Sequence, residues 1–321
     1  MPSVTQPASE RLSLLTKVAL MYHEQGVLQP EIAARLHISQ SRVSRLLKEA
    51  VQIGVVRTIV VPPPGVHAAL EQELKDAYGL ADVVIADVDE TETGLLSAVG
   101  SAAAGYLETT LTGKDRVGIS SWSSTLLATV EAMTPRNTRA ATDVVQVLGG
   151  VGRPNVQVQA TQLADRLARM TKAVPRYLPA PGIVAGSALR DALLAEPYAQ
   201  ELVQAWDDLT VVLAGIGSVQ PSPLLLQSGN ALGEEELAQL RELGAVGDVC
   251  LRFYDTDGAP VVSDLDDRVV GIGSEQLKAV PRTVGVAGGE RKWDAIRGAV
   301  RGKWVDVLIT DSRTARYLLG G

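Results

Sequence analysis

Apolar positions near the N-terminus recur at helical spacing three times. Leu15, Val18, Ala19 and Tyr22 fall at i, i+3, i+4 and i+7, which predicts a helix over residues 10–24. Ile32, Ala33 and Leu36 form one side of a short second helix. Pro30 suits its first turn, where a missing N–H leaves no bond unmade. His37-Ile38-Ser39 makes a tight turn, and Ser39 is a good N-cap for the third helix. Val43, Leu46, Leu47 and Ala50 repeat the i, i+3, i+4, i+7 stripe on that helix, near 39–51. After Gly54 the β-branched run 55–61 predicts a short strand that could edge a wing. Pro62-Pro63-Pro64-Gly65 is stiff and extended, a natural boundary.

Beyond the prolines the period changes. Short β-branched runs alternate with amphipathic stretches, predicting strands at 82–88, 116–120, 143–148, 210–214, 249–254, 269–271, 283–287 and 305–310. Helices are predicted at 93–111, 124–133, 156–171, 290–300 and 311–319. Strands this apolar are buried on both faces, so the expected fold class is α/β, a mainly parallel sheet flanked by helices. The expected domains are an N-terminal winged helix-turn-helix at 1–61, a proline-rich linker at 62–65 and a larger α/β domain at 66–321.

Charge sharpens this division. The 321-residue chain carries a net charge of −7, yet residues 1–60 hold seven Lys/Arg against four Asp/Glu. A small basic module on an acidic body suits a protein that touches DNA at one place. The polar face of the third helix presents Gln40, Ser41, Arg42, Ser44, Arg45 and Lys48, with no acid until Glu49. With Ser39 at the cap and Gln29 opening the helix before it, these amide, hydroxyl and cationic groups can donate to phosphates and to base edges in a major groove. An ordinary helical hairpin could also carry a solvated polar face. The very short turn, the one-signed face and the third helix upstream favour DNA binding.

Several strands in the large domain end in glycine or small hydroxyl residues: Ser120-Ser121-Trp122-Ser123-Ser124-Thr125, Gly149-Gly150-Val151-Gly152, Gly215-Ile216-Gly217-Ser218 and Gly288-Gly289. In an open parallel sheet, ligands bind beyond the carboxyl ends of the strands, where glycines admit a ligand to the backbone and N–H groups favour anions. A small-molecule pocket is expected there. Catalytic alternatives are narrow. All three histidines lie at or before position 67, so a Ser-His-Asp triad has no base, and the one cysteine, Cys250, leaves no nitrogen/sulfur metal site. There is no P-loop motif and no cofactor is expected. Asp248, just before a strand, and Lys292, in the first turn after Gly288-Gly289, remain as chemical groups. A single cysteine suits a reducing cytoplasm, and neither a signal peptide nor a membrane-spanning run is expected.

These residues resemble the SorC family of bacterial sugar-binding transcriptional regulators. The likeness runs through QPEIAARLHISQSRVSRLLKEAVQIGVV, VLGGVG, GIGS, GAVGDVCLRFYDTDG and AGGERKWDAIRGAVRGKWVDVLITD. It implies an effector domain of the sugar-phosphate isomerase, deaminase and CoA-transferase type. It also implies operator DNA and a phosphorylated sugar or related metabolite as partners, and a homodimer or homotetramer. Carried over by position, the effector loop corresponds to 122–125. Ser123 lies in it, and Ser124 and Thr125 would bond a phosphate or sugar hydroxyl. Gly149 and Gly150 would line the pocket, with Gln159 early in the next helix. Asp248 would accept from sugar hydroxyls and Lys292 would pair with a phosphate, matching the donor and acceptor chemistry of both groups. Two positions depart from the family pattern: Gln40 stands where many members have a basic residue, and Ser123 where many have glycine. The 148–152 loop has no basic residue, which favours a monophosphate or a neutral polyol over a bisphosphate.

The leading reading is therefore a ligand-responsive DNA-binding regulator of carbohydrate genes, a repressor by preference. A sugar-phosphate isomerase carrying a DNA-binding domain is the alternative, and a constitutive DNA binder with an oligomerising large domain a third.

Overall fold

The computed structural model describes residues 6–56, 66–88, 92–152, 154–221, 223–230 and 232–320. By internal contacts the chain divides into two compact units, Met1–Pro63 and Pro64–Gly321. The expected wing strand, beyond its first two residues, and the proline linker lie outside the described residues.

The first unit packs helices Gln6–His23, Gln29–Leu36 and Gln40–Gln52 around one apolar cluster. Leu15, Val18, Ala19, Ile32, Val43, Leu46, Leu47 and Ala50 are buried in it, as the spacing predicts. One position differs. Met21 is buried and Tyr22 is 37% exposed. The core faces a point between the two, and the flexible Met fills it while the phenol keeps its hydroxyl near water.

The second unit carries strands β1 (Asp82–Ala86), β2 (Arg116–Ile119), β3 (Asp143–Gln146), β4 (Val174–Arg176), β5 (Val211–Ser218), β6 (Gly247–Val249), β7 (Arg252–Tyr254), β8 (Thr283–Val286) and β9 (Val307–Asp311). Seven of them form a parallel path in the order β1-β9-β8-β5-β2-β3-β4. Period-two alternation explains why both faces are apolar. Val211 and Leu213 of β5 pack into one cluster with helices Glu92–Thr110, Ser124–Ala132 and Pro154–Thr171, whereas Val212, Ala214 and Ile216 pack into the other. Helices Ala68–Tyr78, Pro197–Asp207 and Trp293–Arg301 cover that second face. The result is a three-layer α/β/α sandwich.

Chain order reverses at the centre of this sheet. Strands β3 and β4 follow β2 to one side, while β8 and β9 follow β5 to the other. The crevice beyond the carboxyl ends of β2 and β5 is therefore a topological switch point, the expected ligand position in such a sheet. Two expected strands come out differently. Residues 249–254 are not one strand but the tight hairpin β6–β7, turning at Cys250-Leu251. Residues 269–271 form only isolated bridges, Ile183 with Val269 and Leu148 with Gly271.

At the opposite end of the sheet an ionic row ties β2, β3 and β4 together. Asp143 accepts from Arg176 Nε at 2.8 Å and lies 3.8 Å from Arg116, which also pairs with Asp208 at 2.5 Å. Burial alone would raise the Asp143 carboxyl. Hydrogen bonds from Arg176 and Thr142 and the charges of Arg176 and Arg116 outweigh it and hold the group below its ordinary value. A depressed carboxylate stabilises the fold above its unfolded pKa and loses that contribution as pH falls through the folded one. Asp143→Asn should therefore lower Tm at pH 7 and flatten the loss of Tm below about pH 4, read by thermal melts across pH 3–7.

Candidate functional site

Helix Gln40–Gln52 begins at Ser39, whose Oγ accepts from Arg42 N at 3.3 Å. His37, at φ 55, closes the preceding helix in the left-handed region, where histidine is tolerated better than most residues. That single residue makes the turn short. With Val43, Leu46, Leu47 and Ala50 committed to the core, the helix leaves Gln40, Ser41, Arg42, Arg45 and Lys48 exposed and Ser44 half-buried. Gln29, at the start of helix Gln29–Leu36, is also half-buried. The acids in this unit are partly neutralised: Glu49 pairs with Arg11 at 2.9 Å and Glu31 with Arg35 at 2.5 Å. Such surface pairs add little stability, but they keep the exposed helix face one-signed.

In the larger unit a pocket opens at the switch point between β2 and β5. It encloses about 80 Å³, several times the ~10–15 Å³ that one water needs. Ser123, Ser124, Asp248 and Lys292 all line it. Ser123 caps helix Ser124–Ala132, accepting from Leu126 N at 3.3 Å, so the hydroxyl pair stands at a helix N-terminus. The serine adopts ordinary extended backbone there, and glycine is not required.

Two glycines of β5 make room for the polar groups. A Cβ on Gly215 would lie 2.5 Å from Ser123 Oγ, and one on Gly217 only 2.0 Å from Asp248 Oδ1. Gly217 pairs with Asp248 across the β5–β6 ladder. The other carboxylate oxygen accepts from Leu251 N at 2.9 Å. Burial pushes the Asp248 carboxyl up to about 6, against the opposing pull of that N–H and of Lys292. Burial likewise lowers the Lys292 ammonium, against the field of Asp248. Among the described residues the two form no ion pair, so an acceptor and a cation stand in one crevice with capacity for a ligand.

Thr125, Gly149 and Gly150 are not part of the pocket lining. Gly149 donates its N–H to Val270 O at 2.9 Å and accepts from Trp122 Nε1 at 3.1 Å. A Cβ on it would strike Pro181 O at 2.2 Å, so its glycine is explained by backbone packing. Gly150 lies against the Gln146 side chain. Gln159 sits on helix Pro154–Thr171, and its side chain lies outside the described residues.

The comparisons with known proteins agree with this layout. A profile of the Sugar-bind family, described as "Putative sugar-binding domain", matches residues 63–320. The deoxyribonucleoside regulator of Bacillus subtilis is 31% identical over 311 residues, covering 97% of this chain and 98% of that protein. The sorbitol operon regulator of Klebsiella pneumoniae is 30% identical over 316 residues, covering 97% and 99%. The crystal structure of the full-length sorbitol operon regulator SorC from Klebsiella pneumoniae superposes with a TM-score of 0.74 at 29% identity, over 96% of this chain and 98% of that one. The chain belongs to the SorC family of sugar-binding transcriptional regulators. It is a transcriptional regulator and not an enzyme, which sets the isomerase alternative aside.

In this SorC-family chain apolar groups complete the pocket, three of them from loops the sequence placed there and Leu225 from outside them. Trp122, Leu148, Ile216 and Leu225 supply apolar wall. Cys250 (φ 54) and Leu251 (φ 60) form the β6–β7 turn, with both residues left-handed and both lining the pocket. Such a turn normally carries Asn-Gly, so nothing in Cys-Leu announces it. Burial pushes the Cys250 thiol up to about 12, so it stays a neutral packing group.

Two outcomes are expected. Gly217→Ala should displace the Asp248 carboxylate and remove effector binding, measured by calorimetry, while the far-ultraviolet circular dichroism stays unchanged. Asp248→Asn should act in opposite senses on binding and stability. Its folded pKa exceeds the unfolded one, so the ionised group costs stability above about pH 6. The variant should melt about 2–4 °C higher at pH 7.5 and bind effector less well.

Proposed function

We propose that this chain is a repressor of carbohydrate-utilisation genes whose operator affinity is set by a phosphorylated sugar or a polyol in the switch-point pocket. The observation that carries it is the joint placement of Ser123, Ser124, Asp248 and Lys292 around one crevice. A carboxylate held by one N–H keeps acceptor capacity for sugar hydroxyls. An ammonium near a helix N-terminus suits a phosphate. Among the described residues one cation lines the pocket, which supports a monophosphate over a bisphosphate. The named relatives regulate sorbitol and deoxyribonucleoside genes, which supports a sugar or sugar-derived effector.

The DNA partner is double-stranded operator. Ser39, Gln40, Ser41, Arg42, Ser44, Arg45, Lys48 and Gln29 are assigned to it. Arg42 and Arg45 are the strongest donors, and Gln40 replaces a cation with an amide that can read adenine edges. A homodimer or homotetramer would place paired reading helices on a palindromic site. Effector binding would then act by favouring one arrangement of the paired modules. No helix among the described residues is long and apolar enough to cross a membrane. The cytoplasmic reading is supported by its partner, since a bacterial operator lies there.

Arg42→Ala and Arg45→Ala should each weaken operator binding by about 1–3 kcal/mol, roughly 5- to 150-fold, with the fold intact. Unchanged affinity of both in a DNA titration removes the recognition-helix assignment. A panel of sugar phosphates and polyols, screened by thermal shift, should contain a compound that raises Tm and alters operator affinity. Lys292→Ala should retain operator binding and lose the response to that compound.

A further inference from the structure

Lys292 is the lining cation, yet the segment that presents it is held from elsewhere. Residues 288–292 run Gly-Gly-Glu-Arg-Lys, with Gly289 at φ 90 and a 3₁₀ turn over Glu290–Lys292 that leads into helix Trp293–Arg301. Two of their N–H groups are taken up within the chain. Gly289 N donates to Asp311 Oδ2 at 2.9 Å and to Thr314 Oγ1 at 3.1 Å, and Lys292 N donates to Gly289 O at 3.0 Å. The charged group that this loop brings to the pocket lining is the Lys292 side chain.

The partners of the loop lie around the end of β9. Asp311, 2% exposed, caps helix Ser312–Leu318, its Oδ1 accepting from Arg313 N at 3.0 Å and Thr314 N at 2.9 Å. Its Oδ2 takes the Thr314 hydroxyl at 2.5 Å. Thr314, fully buried, also accepts from Trp293 Nε1 at 3.1 Å. A hydroxyl has one proton and two lone pairs, and here all three are used. The Trp293 ring further stacks on Tyr317 of the same helix at 4.3 Å. The residues on both sides of Lys292, Gly289 and Trp293, are thus fastened to one buried hydroxyl. Gly288 completes the fit, since a Cβ there would lie 2.5 Å from Asp311 Oδ2.

We infer that Thr314, with Asp311, is a positioning residue for the effector site. It fixes the turn from which Lys292 reaches the pocket and never touches the ligand itself. The inference rests on the reading of Lys292 as the phosphate contact. Its sequence signature is the pairing of Gly288-Gly289-Glu290-Arg291-Lys292-Trp293 with Thr310-Asp311-Ser312-Arg313-Thr314, two motifs that the fold brings side by side.

The test is a double-mutant cycle on the full chain, titrated calorimetrically with inorganic phosphate and with glucose 6-phosphate. Lys292→Ala should weaken binding at least tenfold. Thr314→Val, which keeps the shape and removes the hydroxyl, should weaken it about tenfold, and Thr314→Ser should stay within threefold of the parent. The combination Thr314→Val with Lys292→Ala should bind no more weakly than Lys292→Ala alone, because the hydroxyl acts only through the lysine. Trp293→Phe, which removes one bond of the three, tests the same coupling if Thr314→Val does not fold. Parental affinity in Thr314→Val, or effects that multiply in the double variant, overturns the positioning role and leaves the pocket reading standing. Parental affinity in Lys292→Ala, or no binding of either probe by the parent chain, removes the phosphate reading and the inference with it.

Discussion

A carboxylate seated on a glycine organises the effector unit. Asp248 can reach the switch point only because Gly217, its partner across the β5–β6 ladder, carries no Cβ. Its second oxygen is held by Leu251 N–H, and the hairpin must turn within two residues to bring that N–H round. Loss of the glycine would move the acid, and loss of the turn would remove its donor. The strand, the hairpin and the acid are one arrangement, and the raised pKa of Asp248 is its electrostatic cost.

The hairpin shows how that arrangement survives an unfavourable backbone. Left-handed conformations cost roughly 1–2 kcal/mol for each residue with a Cβ, and Cys250 and Leu251 adopt two in succession. Glycine or asparagine would be easier, but would give no apolar wall. Here both residues are buried, and Leu251 packs in a cluster with Trp122, Leu148 and Phe253. Arg252, next in the chain, donates to Ile272 O at 3.0 Å and Gly271 O at 3.3 Å, fixing the strand that leaves the turn. Strain at a binding site persists when its surroundings over-determine the conformation, as they do at this turn.

The sequence made the parallel sheet and the three-helix module legible because their signals are periodic. Val211 to Ala214 read as a strand because both faces of it are covered, and Val43 to Ala50 read as a helix because one face is. The pocket was half legible. Ser123, Ser124, Asp248 and Lys292 were identified by residue type and family position, and they do converge. Gly149 and Gly150 looked like ligand-facing glycines, because glycine is demanded equally by a ligand and by a neighbouring backbone. Pro181 is that neighbour for Gly149; it lies well along the chain, and only the fold brings it there. The Cys250-Leu251 turn was illegible for the opposite reason: it sits in an apolar run with the composition of a strand, and tertiary packing overrides that propensity.

The two glycine-bearing loops beside the pocket do different packing work, which glycine content alone does not reveal. At 215–217 the missing side chains admit Ser123 and Asp248 of the same chain. At 288 the missing side chain admits Asp311, while Gly289 donates its N–H to Asp311 and Thr314. Gly215 and Gly217 themselves line the pocket, and the missing Cβ at each also lets a polar side chain come close enough to be fixed there. Gly288 does the same for Asp311, which holds the segment that carries Lys292. Recognition by side chains on a rigid scaffold can be altered one residue at a time, whereas recognition by a backbone cradle is fixed by the fold. Relatives that include a sorbitol operon regulator and a deoxyribonucleoside regulator would be served by the first design, in which a lining can change on an unchanged sheet.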